Sequence, residues 1–294
     1  MKTLKNIFLF LSVLALSGGC ESNIDLELAD YEAKISVEGY ITTGKPARIH
    51  LTRNIEFLGT IDLTNYEDFI IEDALIVVSN GIVRDTCEFD VAPGYLPPVA
   101  YFGTQIIGQE NQRYDLEVYI DGKLLTASTY IPKVNSLDSL WWKADDVHLE
   151  TGDSVGPIHY QYSDPDTLGN YHRLYYQRIG IDEIPFATSG ATRTDRLVNG
   201  LTYESTVYRS RTYAERYVPE ESESVPDQFR FVPGQAVILY WDAISSTTYE
   251  FWQSTRNNEA SDAFSPSQNV ASNINGGLGI WGGYAESIDT VYIP

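Results

Sequence analysis

The sequence is poor in the side chains that most often carry chemistry. Its 294 residues include 2 cysteines, 4 histidines and 1 methionine. With Cys20 closing an apolar leader, Cys87 has no partner within the chain, so an internal disulfide is excluded whatever the redox compartment. In IVRDTCEF, Cys87 reads as a small hydrophobe in a strand, because no basic pair or helix start flanks it to favour the thiolate. His50, His148, His159 and His172 show neither H-E-x-x-H nor a paired-cysteine spacing, and no metal is expected. His159 and His172 are read as ordinary strand residues on the two arms of a hairpin around DPDTLG. No G-x-S-x-G marks a serine nucleophile. Basic residues are scarce too. Lys and Arg number 20 against 41 Asp and Glu, a formal charge of −21, and losing residues 1–19 would remove Lys2 and Lys5 as well. So acidic a chain is a poor match for nucleic acid, and its charge serves mainly solubility. Downstream of the leader no run reaches the eighteen apolar residues of a membrane-spanning helix.

The leader itself reads MKTLKNIFLFLSVLALSGGC. Lys2 and Lys5 give a positive start, Ile7 to Leu16 an apolar stretch too short to span a bilayer, and Ser17, Gly18 and Gly19 a small-residue approach to Cys20. This resembles a bacterial lipoprotein signal, although Leu16 stands one place further from the cysteine than the usual leucine. The expectation is cleavage after residue 19, with diacylglycerol and an acyl chain such as palmitate on Cys20 and no other cofactor. Several acyl chains on one residue anchor stably where one is marginal. Glu21, Asp25 and Glu27 then resemble the acidic surface-export signal of Bacteroidota lipoproteins.

Strand patterns dominate the rest of the chain. AKISVEGYI alternates, with Ile35, Val37 and Gly39 on one face and Ser36, Glu38 and Tyr40 on the other. A turn at TTGKPA leads to RIHLTRN. LIVVSNGIVRDTCEF predicts a hairpin with a two-residue turn at Asn80-Gly81, and RYDLEVYIDGKLLTASTYIP another at Asp121-Gly122. TIDLTNYEDF reads as a long loop. Short strands at this spacing argue for an all-β sandwich, closed by Pro132 and a linker, KVNSLDS. The second half is also strand-rich: GPIHYQYSD and NYHRLYYQRIGI are joined by DPDTLG, then LTYESTVYRSRTY, QFRFV and AVILYWD. VPEESESVPD reads as a solvated loop. One helix is expected over SSTTYEFWQSTRNNEA, capped by Asp242 or Ser245, with Tyr249, Trp252 and Ala260 on one face.

Three motifs invite a functional reading. Gly277, Gly279 and Gly282 spell G-x-G-x-x-G, but the remaining residues end in the strand-like SIDTVYIP, leaving no room for the helix of a dinucleotide site. We read them as a β segment whose backbone lies close against a neighbour. Asp164 to Asn170 has Asp at the first and third and Gly at the sixth place of a calcium loop. Leu168 at the fifth and Tyr175 at the twelfth leave too few oxygens, and the stretch reads as a turn. Asp138, Asp153, Asp166 and Asp289 each begin an Asp-Ser/Thr-apolar triplet similar to a Bacteroidota O-glycosylation site.

In an acidic chain, Arg193, Arg196, Arg209, Arg211 and Arg216 crowd together among Tyr203, Tyr208, Tyr213 and Tyr217. Arg and Tyr are enriched where proteins meet partners. Arg209, Arg211, Tyr213, Arg216 and Tyr217 are therefore the candidate partner-binding residues. Trp141, Trp142 and Trp281 would suit stacking on a glycan, but are read as core. A hydrolase would require a cleft that perturbs a carboxylate pair, and no pair is selected by the sequence.

The acidic start after Cys20, ISVEGYITTGKPARIHLTR, YDLEVYIDGKLLTASTYIP, YSDPDTLGNYHRLYY, YEFWQSTRNN and SNINGGLGIWGGY together resemble the domain of unknown function 4249 family of Bacteroidota outer-membrane lipoproteins. The resemblance implies a mainly β protein. An immunoglobulin-like or transthyretin-like β-sandwich over 20–133 follows the leader of 1–19, and a second β-rich domain with one short helix occupies 134–294. It implies an outer-membrane setting, often beside TonB-dependent transporter-like barrels, and no established reaction. The expected function is that of a non-enzymatic, lipid-anchored accessory of an outer-membrane β-barrel complex, in transport or barrel assembly, displayed at the cell surface or on the periplasmic face. A glycan- or peptide-capturing surface protein and an uncharacterised hydrolase are the alternatives.

Overall fold

Alternation decides which face of each strand is buried, and the computed structural model shows the outcome for residues 33–54, 66–95, 97–147, 152–210, 229–259 and 269–294. The leader and Cys20 lie outside these described residues. So do 55–65, most of the expected loop, whose end forms a 3-10 turn at Tyr66–Phe69. The strands are β1 (Ile35–Thr42), β2 (Pro46–Arg53), β3 (Leu75–Ser79), β4 (Arg84–Thr86), β5 (Glu88–Val91), β6 (Val99–Ile107), β7 (Gln112–Ile120), β8 (Lys123–Ile131) and β9 (Ser139–Trp142). Next along the chain are β10 (Asp146–Val147), β11 (Ser154–Val155), β12 (Ile158–Ser163), β13 (Tyr171–Arg178), β14 (Phe186–Thr194), β15 (Thr202–Val207), β16 (Ala236–Ile244), β17 (Leu278–Ala285) and β18 (Ile288–Tyr292). A helix, α1 (Ser246–Glu259), joins β16 to the last two strands. The protein is mainly β, as its sequence predicts.

A nine-stranded sheet, ordered β14-β13-β16-β17-β1-β2-β6-β5 with β18 also on β16, is the floor of the molecule. A four-stranded sheet, β4-β3-β7-β8, covers one end of it and a three-stranded sheet, β15-β12-β9, the other. The first cover makes a β-sandwich. Val37, Ile41 and Ile49 from the floor meet Ile76, Leu116, Val118 and Leu125. The second encloses Tyr160, Tyr162 and Val207 against Leu174, Leu239 and Trp241. Ala243 belongs to the first core and Trp241 to the second. Two residues apart on β16, they face the same way, so both covers lie on one side of the floor. Sequence separation does not separate the two halves: β17 pairs in parallel with β1, from Ser36↔Leu278 to Thr42↔Tyr284, across the junction at residue 133. Ala33–Pro294 holds together as one compact unit.

The glycine-rich stretch is this β17. A Cβ on Gly279, at φ +103, would stand 2.0 Å from the Val37 carbonyl oxygen, and one on Gly283 would stand 2.5 Å from that of Tyr130. Glycine lets the strand lie between β1 and β8, the close backbone approach expected from the sequence. Trp281, fully buried, donates from Nε1 to the Tyr114 carbonyl (3.0 Å). The sandwich is also tied by Asp85, fully buried on β4. Its carboxylate accepts from the Thr104, Gln105 and Ile106 amides of β6 at 2.8–3.1 Å and from Thr104 Oγ1 at 2.8 Å. Burial would raise its pKa, but these bonds outweigh that and hold it below the ordinary value.

Three local expectations are corrected. Asp121-Gly122 is a two-residue turn, both residues at positive φ (51 and 70), between the paired Ile120 and Lys123. Asn80-Gly81, however, lies in a longer loop: Ser79 pairs with Arg84, and Asn80 Oδ1 closes residues 80–83 by accepting from the Ile82 and Val83 amides (3.0 and 2.8 Å). The asparagine side chain, rather than a second strand residue, satisfies those donors. The described residues of QFRFV, Phe229 to Val232, supply a lone bridge, Phe231 to Gly156. β12 and β13 do not form a hairpin. β12 pairs with β9 and β15, and β13 with β14 and β16, because the apolar faces of both strands meet across the second core and so must lie in opposite layers. Consequently His159 stacks on Trp141 (5.6 Å between centroids) while His172 stacks on Trp241 (4.3 Å). The connecting DPDTLGN is held as a turn, Asp195 Oδ2 accepting from the Gly169 and Asn170 amides (2.6 and 2.8 Å).

Candidate functional site: a polar, aromatic pocket on the open face of the floor

Both cores occupy one face of the nine-stranded sheet, so the residues of opposite parity on its central strands point to the other. On an exposed sheet these positions would be Thr, Lys or Ser. Here they are Glu38 and Tyr40 of β1, Arg48 and His50 of β2, Arg173 and Tyr175 of β13, Tyr240 and Asp242 of β16, and Tyr284 of β17, around a cavity of about 300 Å³. Register brings them side by side: Arg173 lies across from Asp242, Tyr175 from Tyr240, and Tyr40 from Arg48. Trp252 of α1, Tyr95, Pro185, Lys45 and Glu286 complete the lining.

The helix is placed for this. Ser245, not Asp242, is its cap, receiving the Thr248 amide at Oγ (3.3 Å), and Thr248 is fully buried against the sheet. One turn on, Trp252 reaches the cavity and donates from Nε1 to Tyr284 Oη (2.7 Å). Ala260 lies outside the described residues.

The two arginines are held by rings. The Arg173 guanidinium lies 3.6 Å over the Trp252 ring, and its Nε donates to Tyr175 Oη (2.8 Å). That of Arg48 lies 3.8 Å over Tyr95. Stacking of this kind fixes the planar group while leaving its edge donors free. Among the described residues no ion pair within 4.0 Å involves either arginine, and the buried Arg48 Nε has no hydrogen-bond acceptor. Arg173 is 9% exposed.

Asp242 is the second unusual group. It is 5% exposed, and its Oδ1 is buried without a partner. Burial, then the neighbouring Glu286 charge, raises its pKa well above the ordinary value, with Lys45 and Arg173 only partly opposing, so the protonated, hydrogen-donating form of the group is favoured. Glu286 itself is paired to Lys45 (2.6 Å), and Glu38 accepts from Tyr40 Oη (2.6 Å). Burial first, then the Arg48 charge, lowers the His50 pKa. Its Nδ1 lies 2.9 Å from the Val99 carbonyl, which can only accept, so Nδ1 carries the proton. The Tyr40, Tyr175 and Tyr284 phenols are raised chiefly by burial and stay neutral. The pocket thus offers two guanidinium edges, a buried carboxyl and several phenols, in a space walled by aromatic rings. A second hollow of about 260 Å³ shares Arg173 and Trp252 as its wall and reaches Gly190, Thr192 and Arg256.

The residues chosen from sequence lie elsewhere. Arg209 is buried, with its amide on the Phe229 carbonyl (2.8 Å). Arg211, Tyr213, Arg216 and Tyr217 lie outside the described residues, as does Cys20. Arg193 meets Tyr160 Oη (3.3 Å), and Tyr203 packs on Tyr160 and Tyr162 at the second core. Trp281 is core, Trp142 packs against the second core and Trp141 is half-buried on His159. The pocket residues escape the sequence reading because they come from five strands and a helix, and alternation assigns the one or two on each strand to solvent. The available signal was their type: Tyr, Arg, His and Asp recurring at outward positions.

Comparison with curated proteins gave no match. The features that make the pocket possible, the parallel β1–β17 seam and the α1 that follows β16, are built from segments at opposite ends of the chain, so a relationship covering both ends is the informative one. Residues 21–289 match the model of the domain of unknown function (DUF4249), and the chain belongs to that family.

Proposed function

We propose that this protein is a lipid-anchored, non-enzymatic binding protein of the bacterial outer membrane. It serves as the accessory of an outer-membrane β-barrel complex, and its pocket captures a small ligand, a glycan or peptide fragment. The observation that carries the capture reading is the pocket's unsatisfied polarity. A buried carboxyl oxygen and a buried guanidinium Nε without partners reduce stability, and a fold retains such groups where a ligand completes them. Anchoring is supported by the leader and Cys20, and an accessory role by the anchor together with a two-core β body. Mass analysis of the mature N-terminus is expected to find a triacylated Cys20. Native pull-down from detergent-solubilised membranes is expected to recover a barrel protein, and repeated elution of the chain alone would end the accessory role.

A second reading, acid-assisted hydrolysis, is favoured by Asp242, whose pKa burial raises, lying in one cavity with Glu286. It predicts turnover of a bound glycoside or ester that Asp242→Asn abolishes. Binding without turnover decides for capture.

A further inference from the structure

Resting on the capture reading, we infer that the pocket's ligand carries a carboxylate, gripped between the guanidinium edges of Arg48 and Arg173, with the Asp242 carboxyl as a third contact. Three observations lead to this.

The first is geometric. Arg48 and Arg173 lie on β2 and β13, at different sides of one cavity, and each is pinned on a ring by its face. A guanidinium stacked by its face can bond only through its edge, in the planar fork that matches a carboxylate. With no carboxylate of the described chain within 4.0 Å of either group, these edges lack the ion-pair partner such groups normally have when buried.

The second is charge. Lys45 neutralises Glu286 across 2.6 Å. What remains facing the cavity is Arg48 and Arg173 against Glu38 and Asp242, and burial opposes ionisation of Asp242, so the site leans positive in a protein whose formal charge is −21. Two guanidinium groups beside two acidic side chains suit a monoanion better than a dianion such as phosphate. The buried Asp242 Oδ1, which has no partner, is a donor to the ligand when the carboxyl is protonated, the form that burial favours.

The third is the remainder of the wall. Tyr40 stands edge-on to Tyr284 (5.4 Å between centroids) and parallel to Trp252 (6.3 Å). These faces suit an organic body rather than a bare ion. The volume, about 300 Å³, accommodates an acidic monosaccharide or the last residue of a peptide. Both supply the same carboxylate.

The test is titration calorimetry on the full chain, purified with detergent present, using matched pairs: galacturonate against galactose, and alanyl-phenylalanine against its C-terminal amide. Inorganic phosphate is the ionic control. The acid of one pair is expected to bind roughly tenfold or more tightly than its neutral twin, which also identifies the source of the carboxylate. Arg173→Gln and Arg48→Gln should each erase that preference. Arg48→Lys keeps the charge without the fork and should restore it only in part. Binding of the neutral twins as tightly as the acids, or of phosphate more tightly than either, overturns the carboxylate inference and leaves capture standing. No heat from any probe at millimolar concentration overturns both. The wild-type comparison decides the matter even where a variant fails to fold.

Discussion

Replacing Gly279 with alanine separates the two accounts of the G-x-G-x-x-G stretch. The added Cβ would meet Val37 O at 2.0 Å, Val37 C at 2.9 Å and Val37 N at 3.1 Å, all backbone, so no side chain can turn aside. Relief requires β1 and β17 to part along a parallel seam running from Ser36↔Leu278 to Thr42↔Tyr284. Two costs add. The positive φ of +103 costs an L-residue about 1–2 kcal/mol, and forced overpacking about 1–3 kcal/mol more. The sum, roughly 2–5 kcal/mol, is a large part of the ~5–15 kcal/mol that holds a domain folded. Gly122→Ala is the control. Gly122 also has a positive φ, +70, but its Cβ would meet nothing within 4 Å, so only strain remains, about 1 kcal/mol. Chemical denaturation of both variants, followed by tryptophan fluorescence, gives the comparison. A Gly279→Ala cost no more than about 0.5 kcal/mol above the Gly122→Ala cost would refute the reasoning that close backbone approach demands glycine here.

Asp85→Asn turns an amide NH₂ toward backbone N–H groups that now meet a carboxylate oxygen, and is expected to cost about 3 kcal/mol or more, read from the denaturation midpoint at pH 7. Because the Asp85 pKa is depressed in the fold, its contribution is present above the unfolded pKa and disappears as pH falls through the folded value, so wild type and variant should converge in acid. His172 behaves differently: burial lowers it from 6.5 to about 3. Between these values the unfolded chain binds the extra proton, so stability falls as pH drops from about 6.5 toward about 3. His172→Phe should remove up to about 1.4 kcal/mol per pH unit of that slope, measured by denaturation at stepped pH. Cys87 is 7% exposed, and burial lifts its thiol to about 12. A colorimetric thiol reagent at pH 8 should leave it unmodified until denaturant is added.

Much of the fold was legible because it rests on local rules. The alternation in ISVEGYIT places Val37 and Ile41 in the core, as expected. Asp121-Gly122 makes its tight turn, and the glycines of β17 mark close packing. What failed was long-range choice. Nothing near DPDTLG says that its two flanking strands enter different sheets. That is dictated only by Tyr160 and Tyr162 having to face Leu174 and Trp241 across a core. The parallel pairing of β1 with β17 joins segments some 240 residues apart, beyond any periodicity argument. The pocket was invisible for the same reason. Glu38 and Tyr40 were assigned correctly to the outer face and Trp252 to a helix face, but their meeting with Arg173 and Asp242 depends on sheet order. Asp242 even had a competing local reading as a helix cap.

The place of β17 has a consequence for how the protein comes into being. A ribosome delivers β17 some 240 residues after β1, so β1 emerges with an open seam where its neighbour belongs. The sandwich built from β1 to β8, Ile35–Ile131, therefore lacks one strand neighbour until then. Its β1 edge stays open until β17 is laid in beside it. For a chain exported as proposed above, threaded through a membrane before it folds, that delay keeps the polypeptide slack for the passage.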